Sequence, residues 1–246
     1  MGFSGKTFLI TGAASGIGLA TAETLAAHGC ERLILCDLDA KALDAVHIDC
    51  GVARLAGDVA DEQYWEQASL GAIDGAVVNA GVAGAGQIAD LDFAEWRRIL
   101  SVNLDGAFLT FRAAMRAIRD GGSIVAVASA SGLKAEPGVS AYGASKAGLI
   151  QLAKVAAKEG APRGIRVNAI APGGVETPVW DAVPMFADRA AEIGRDAAFA
   201  EMASLATPIG RYAKPEEIAE QIAFLLSDRS ATVTGAVLVS DGGYTL

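Results

Sequence analysis

Cysteine is scarce in this chain of 246 residues: Cys30, Cys36 and Cys50 are its three copies, and no two form a Cys-x-x-Cys pair. An odd count without that spacing excludes a disulfide framework and gives zinc no ligand set, so no metal site is expected and a reduced, cytoplasmic setting fits. Basic residues are also short, 20 Lys plus Arg against 29 Asp plus Glu, for a net charge of −9. Nucleic acid and anionic membrane surfaces both need a basic face, and neither is expected as a partner. Apolar runs are short, far below the ~20 residues of a membrane span. The stretch Met1–Ile10 has no basic region ahead of its apolar residues, so no signal peptide is expected there. Charge runs, low-complexity linkers and internal repeats are missing too, and residues 1–246 read as one domain.

What is present is apolar residue: 52% of the chain, enough for a sizeable core. It falls in short runs at Thr7–Ile10, Arg32–Cys36, Val52–Ala56, Ala76–Val78, Ser123–Ala128, Arg166–Ile170 and Ala236–Val239. Rich in Val, Ile and Leu with little polar alternation, they suit parallel strands buried on both faces. Helix-like segments separate them. Ile17–His28 closes on Gly29, Phe93–Arg119 holds two helices or one long bent one, Ala141–Glu159 follows, and Pro215–Leu226 opens on proline with two glutamates behind it. The pattern predicts an α/β fold, a doubly wound parallel sheet of about seven strands with helices on both faces. Residues 177–207 interrupt the alternation and read as a lid, with Trp180, Val183, Met185, Phe186, Met202 and Leu205 as apolar side chains to meet a substrate.

The first run leads into Thr11-Gly12-Ala13-Ala14-Ser15-Gly16-Ile17-Gly18 and a helix. Glycines at 12, 16 and 18 suit a tight turn, close backbone approach to a pyrophosphate, and close helix–strand packing, as in a Rossmann-type dinucleotide site. Asp37 ends the second run, 19 residues past Gly18, where a carboxylate accepts from the adenosine ribose hydroxyls and repels a 2′-phosphate. No cation at Ala13, Ala14, Ser15 or Leu38 offsets that repulsion, so NAD is expected rather than NADP. Asp58-Val59 and Asn79-Ala80-Gly81 follow the third and fourth runs, at the edge where such a sheet binds ligands. Asp58 suits the adenine amine, Asn79 a brace, and Gly81 leaves room for the cofactor.

Tyr142 and Lys146 lie four apart at the start of a helix and share its face. A phenol has an ordinary pKa of about 10 and is a weak base at neutral pH. An ammonium ~4 Å away at an effective dielectric of ~20 favours the phenolate by roughly 4 kcal/mol before desolvation is subtracted. Ser129 ends the fifth run 13 residues before Tyr142, and its hydroxyl suits a carbonyl or alkoxide oxygen. His28 at a helix end, His47 in a polar crossover and Cys36 in a buried strand are read as structural. Trp96, Phe108 and Phe111 are read as core or subunit-interface residues.

Taken in order, Thr11–Gly18, Asn79–Gly81, Asn103, Ser129, Tyr142-x-x-x-Lys146, Pro172-Gly173 with Thr177, and Asp241-Gly242-Gly243 resemble the classical short-chain dehydrogenase/reductases over nearly the whole chain. The resemblance implies an NAD-dependent alcohol dehydrogenase or carbonyl reductase with Tyr142 as acid/base and Ser129 polarising the substrate oxygen. It implies that Lys146 binds the nicotinamide ribose and lowers the tyrosine pKa, and that Asn103 holds a relay water. Pro172, Gly173, the Val175 backbone and the Thr177 hydroxyl would cradle the carboxamide. It also implies a homotetramer or dimer. Two departures stand out: Val78 replaces an asparagine of the family's usual Asn-Asn-Ala-Gly, and Asp39–Gly57 is short. The lid side chains point to an apolar secondary alcohol or ketone, with cyclic or steroid-like compounds among the candidates. A β-ketoacyl thioester reductase is the second reading, disfavoured by Asp37 and the acidic charge, and a non-catalytic NAD-sensing regulator the third.

Overall fold

A computed structural model describes residues 2–246, the side chains of Ala182 and Pro184 excepted. The strands are β1 (Thr7–Thr11), β2 (Arg32–Asp37), β3 (Gly51–Ala56), β4 (Ile73–Val78), β5 (Ile118–Val127), β6 (Arg166–Pro172) and β7 (Val237–Ser240). All pair in parallel, in the order β3-β2-β1-β4-β5-β6-β7. The helices are α1 (Gly16–Ala27), α2 (Ala40–Asp44), α3 (Glu62–Gln67), α4 (Phe93–Leu100), α5 (Ala107–Ala117), α6 (Ser140–Gly160), α7 (Pro184–Ile193), α8 (Arg195–Ala206) and α9 (Pro215–Leu226).

The apolar strands are explained by two cores, one on each face of the sheet. Successive strand residues point to opposite faces, so both sets must be apolar. Leu9, Ile34, Ala76, Val78, Ile124 and Ala126 pack under α3, α5 and α6. Their neighbours Phe8, Ile10, Leu33, Leu35, Val77 and Val125 pack under α1, α2 and α9. Each fully buried Leu, Ile or Phe contributes about 1.5–3 kcal/mol. The chain winds outward through β1, β2 and β3, then crosses back to β4 on the other side of β1. That reversal opens a crevice between the carboxyl ends of β1 and β4, where a doubly wound sheet takes its ligand.

Several boundaries differ from the expectations. The segment expected as helix to Arg119 ends at Ala117, because Ile118 turns into the sheet and is buried opposite Ile73. α4 and α5 form one helical run joined by a π-helical turn, Ser101–Gly106. α2 is a single five-residue turn, as the short crossover anticipated. The lid is mostly helical rather than a loop, consisting of α7 and α8. Phe111 is core, whereas Phe108 is 49% exposed.

Candidate active site

The ends of β1 to β6, the helices α1 and α6 and the π-helical turn build the site. At the end of β1 the Thr11 hydroxyl accepts from the backbone N–H groups of Asn79 (3.0 Å) and Ala80 (3.1 Å). Asn79 returns two bonds, from Nδ2 to the carbonyls of Thr11 (2.9 Å) and Gly12 (3.1 Å). The glycine loop is thus stitched to β4 across the crevice. Gly12 (φ 64°) and Gly16 (φ 53°) hold left-handed backbone, where a Cβ is unfavourable. A Cβ on Gly18 would stand 2.0 Å from the Gly12 carbonyl oxygen, so α1 can approach the loop only with glycine there. Ser15, the residue before α1, makes no side-chain cap, and no acidic residue lies in the first turn. The leading N–H groups of α1, at Gly16, Ile17 and Gly18, are therefore unclaimed by a side chain, which fits a pyrophosphate.

Asp37 stands at this loop. Its carboxylate accepts from the N–H groups of Ala14 (2.9 Å) and Asp39 (3.1 Å), with Leu38 73% exposed beside it. Asp58 is exposed and accepts from Ala60 N–H, while the Val59 side chain is buried against Gly106 and braces the π turn. The Val59 side chain is thus core, leaving only its backbone facing the crevice edge.

The chemical groups converge from β5 and α6. The turn Ala130–Gly132 lies directly on α6, since a Cβ on Gly132 would be 2.8 Å from the Lys146 carbonyl carbon. Ser129, just before that turn, accepts from Ser131 N–H at 3.2 Å, and its hydroxyl is within reach of Tyr142. Lys146 is buried, donates to the Val127 carbonyl at 2.9 Å, and has its Nζ 5.8 Å from the Tyr142 ring centroid. Burial pushes its pKa down to about 8. The sequence led us to expect a lowered tyrosine pKa; instead burial raises it, and the Ser129 hydroxyl opposes that rise. Desolvating the phenolate is the larger of the two causes.

Asn103 sits in the π turn, fully buried. Its Oδ1 accepts from Val82 N–H (2.8 Å), and its Nδ2 donates to the Val82 carbonyl (3.0 Å) and Ser145 Oγ (3.2 Å). Ser145 in turn donates to the Tyr142 carbonyl at 2.7 Å. The Asn103 amide is thus a brace joining the β4 loop to the first turn of α6, with both amide hydrogens taken by protein. A Cβ on Gly81 would lie 3.2 Å from Asn103 Oδ1 and 3.4 Å from Lys146 Nζ, so the bare glycine keeps that space clear.

At the end of β6, Pro172 and Gly173 lead to Val175, whose carbonyl accepts from Trp180 Nε1 at 2.9 Å and from Thr177 N–H at 2.8 Å. Thr177 is buried, with its methyl toward Gly16. The lid has its own core of Trp180, Phe186, Phe199 and Tyr212, in which Trp180 stacks on Tyr212 at 5.5 Å. Phe186, expected to meet substrate, is 0% exposed, because its ring fills that core 4.4 Å from Phe199. Trp180 is likewise committed by its stacking and its hydrogen bond. Met185 (67%), Leu205 (85%) and, less so, Ile193 (37%) are exposed large apolar side chains of the lid helices. Asp241 ties down the tail, accepting from Gly243 N–H, Thr245 N–H and the Thr245 hydroxyl; burial opposes its charge, and these bonds still hold its pKa low.

A family model described as enoyl-(acyl carrier protein) reductase matches residues 12–245. The chain is 40% identical to a cis-4-hydroxycyclohexanecarboxylate dehydrogenase of Sinomonas cyclohexanicum, over 99% of this chain and 98% of that one. It is 38% identical to the 3-oxoacyl-acyl-carrier-protein reductase FabG of Thermotoga maritima, over the full length of both. A levodione reductase crystal structure superposes with a TM-score of 0.88 at 35% identity, covering 99% of this chain and 98% of that one. The chain belongs to the short-chain dehydrogenase/reductase family.

As a short-chain dehydrogenase/reductase it is an oxidoreductase, and dehydrogenases of this family use a nicotinamide cofactor. Three residues of the site carried no assigned role in the sequence. Thr11 stood in the glycine motif without a function, and Ser145 stood inside the Tyr-x-x-x-Lys stretch, where its spacing from Tyr142 was the available signal. Arg195, which bonds the Thr177 carbonyl and Asp181, 18 and 14 residues before it, had no signal in the sequence.

Proposed function

We propose that the protein is an NAD-dependent dehydrogenase of uncharged, apolar secondary alcohols, cyclic ones foremost, and the reductase of the matching ketones. One observation carries the reading: Ser129, Tyr142 and Lys146 converge beside a glycine loop whose acidic partner, Asp37, accepts from Ala14 N–H. The Asp37 carboxylate is placed to take ribose hydroxyls and to repel a 2′-phosphate. Hydride chemistry is supplied by the nicotinamide cofactor when bound. Tyr142 takes the hydroxyl proton in oxidation and returns it in reduction, while Ser129 donates a hydrogen bond to the substrate oxygen. Lys146, the Val175 backbone and the Thr177 hydroxyl hold the nicotinamide half. Asn103, through Ser145, fixes the turn that carries Tyr142.

Several features support an uncharged substrate. The cations around the mouth are engaged: Lys134 with Glu136 and the Tyr244 carbonyl, Arg195 with Asp181, Arg211 with Glu217. The exposed lid residues Met185 and Leu205 are apolar; the Sinomonas relative supports only the cyclic part of the reading, since the cyclohexane ring in its name also bears a carboxylate. Free cysteines suit a cytoplasmic enzyme, and exposed apolar residues on α5 and α6 suit a homotetramer. The Thermotoga relative and the matched model favour a second reading, a β-ketoacyl thioester reductase. That reading asks for NADPH and a basic docking face, against Asp37 and the net charge of −9.

The test is turnover with NAD and NADP against cyclic and open-chain secondary alcohols and acyl thioesters, followed by absorbance of reduced nicotinamide. NAD-linked oxidation of a cyclic subset is expected, and Asp37→Ser should narrow the preference for NAD. Equal rates with NADP, or activity confined to thioesters, would establish the second reading instead.

A further inference from the structure

Arg195 opens α8, the second lid helix, and its guanidinium touches three other pieces of chain. Nη2 donates to the Thr177 carbonyl oxygen at 2.9 Å, and Nη1 pairs with Asp181 in the turn Pro178–Ala182. The guanidinium carbon lies 5.4 Å from the Phe186 ring centroid in α7 and 5.1 Å from that of Phe199 in α8. A planar fork can bond two oxygens and still stack on aromatic faces, which a lysine ammonium cannot do together.

The position of Thr177 gives these contacts their consequence. Thr177 follows the end of β6, is buried, and rests its methyl toward Gly16 of the phosphate loop. Arg195 therefore joins the lid to the residue that lies between the lid and the cofactor crevice. The lid helices are also joined to each other by their own aromatic core and by the Arg189–Glu201 pair. What Arg195 sets is their placement relative to Thr177. The pair with Asp181 is 40% exposed on the arginine side and contributes little by itself; the bond to a main-chain carbonyl and the stacking supply the geometry.

We propose that Arg195 is a positioning residue that couples the lid to the nicotinamide end of the cofactor site through Thr177. The inference rests on the dinucleotide reading above. With Arg195 in place the Thr177 segment and the lid hold one arrangement. Without it the lid samples several, and only a fraction are competent to bind, which weakens apparent affinity by that fraction. The adenosine ribose, held by Asp37, lies outside this coupling.

The experiment compares wild type, Arg195→Gln, Arg195→Lys and Asp181→Asn in the full chain. It measures dissociation constants for NAD, NADH and ADP-ribose, a probe that lacks the nicotinamide, together with kcat and KM. Arg195→Gln should weaken NAD and NADH about tenfold and raise substrate KM, with ADP-ribose changed less than about twofold. Arg195→Lys should recover only part of the loss, and Asp181→Asn should show a smaller effect in the same direction. Loss of ADP-ribose affinity in step with NAD, or no change for either, would overturn the coupling. If Arg195→Gln does not fold, Asp181→Asn decides by the same split. A wild-type protein that binds neither NAD nor ADP-ribose sinks the dinucleotide reading itself, an outcome distinct from failure of the coupling.

Discussion

At the scale of single residues, the central group is a tyrosine whose environment works against its ionised form. Burial raises the Tyr142 pKa, the neighbouring Ser129 hydroxyl opposes that rise, and burial holds Lys146 down to about 8. The signs give a pH dependence. Alcohol oxidation needs the phenolate, whose share grows about tenfold per pH unit below the tyrosine pKa. As pH rises through about 8 the Lys146 ammonium is lost, and with it the nearest cation supporting that phenolate. Oxidation kcat/KM should therefore climb with pH and flatten near 8, while reduction, which uses the neutral phenol, stays level over the same range. Rate profiles in both directions check this. Tyr142→Phe should abolish both reactions and leave the NAD dissociation constant unchanged; near wild-type turnover in that variant refutes the acid/base role. The four-residue spacing of Tyr142 and Lys146 was legible in the sequence because a helix repeats every 3.6 residues. The direction of the tyrosine shift was not, because desolvation depends on which distant side chains cover the ring.

At the scale of elements, strand positions were legible to within a few residues, since two-sided burial writes a continuous apolar run into each strand. α3, α7 and α8 were less so. The apolar residues of α7 and α8 face a small core of their own, Trp180, Phe186, Phe199 and Tyr212, instead of the main sheet. Trp180 and Phe186, set aside for substrate, are therefore residues of that core, whereas Met185 and Leu205 stay exposed. The π turn at Ser101–Gly106 had no signature either, although it carries Asn103. A demanding junction for the chemistry is the turn after β5. Gly132 has no Cβ, and one there would meet the α6 backbone at 2.8 Å. Gly132→Ala should push the turn and Ser129 away from Tyr142, lowering kcat about 100-fold with NAD affinity retained. Stopped-flow turnover and cofactor titration of this variant separate the two effects, and an unchanged kcat would show that the contact is not needed.

At the scale of the whole molecule, the order β3-β2-β1-β4-β5-β6-β7 places every group of the site at one edge of one sheet. No helix among the described residues is long and apolar enough to cross a membrane. Phe108 (49% exposed) on α5 and Val155 (42% exposed) on α6 remain uncovered in the single chain. Apolar residues left on two long helices are an expected site of self-association. Sedimentation should report four copies of the 25.0 kDa chain, and Phe108→Glu with Val155→Glu should reduce that number. A wild-type monomer at micromolar concentration would overturn the tetramer.

Local chemistry was settled by the sequence itself: glycines at positions of left-handed backbone, a carboxylate closing the second strand, a tyrosine and a lysine one helical turn apart. These follow from backbone sterics and helical period, which act over a few residues. The tertiary structure decided the rest. It brought Thr11 to Asn79, Asn103 to Ser145, Ser129 to Tyr142 and Arg195 to Thr177, and it buried Phe186 in the lid. Those pairings depend on how elements distant in the chain pack, and packing acts between surfaces that no local pattern specifies.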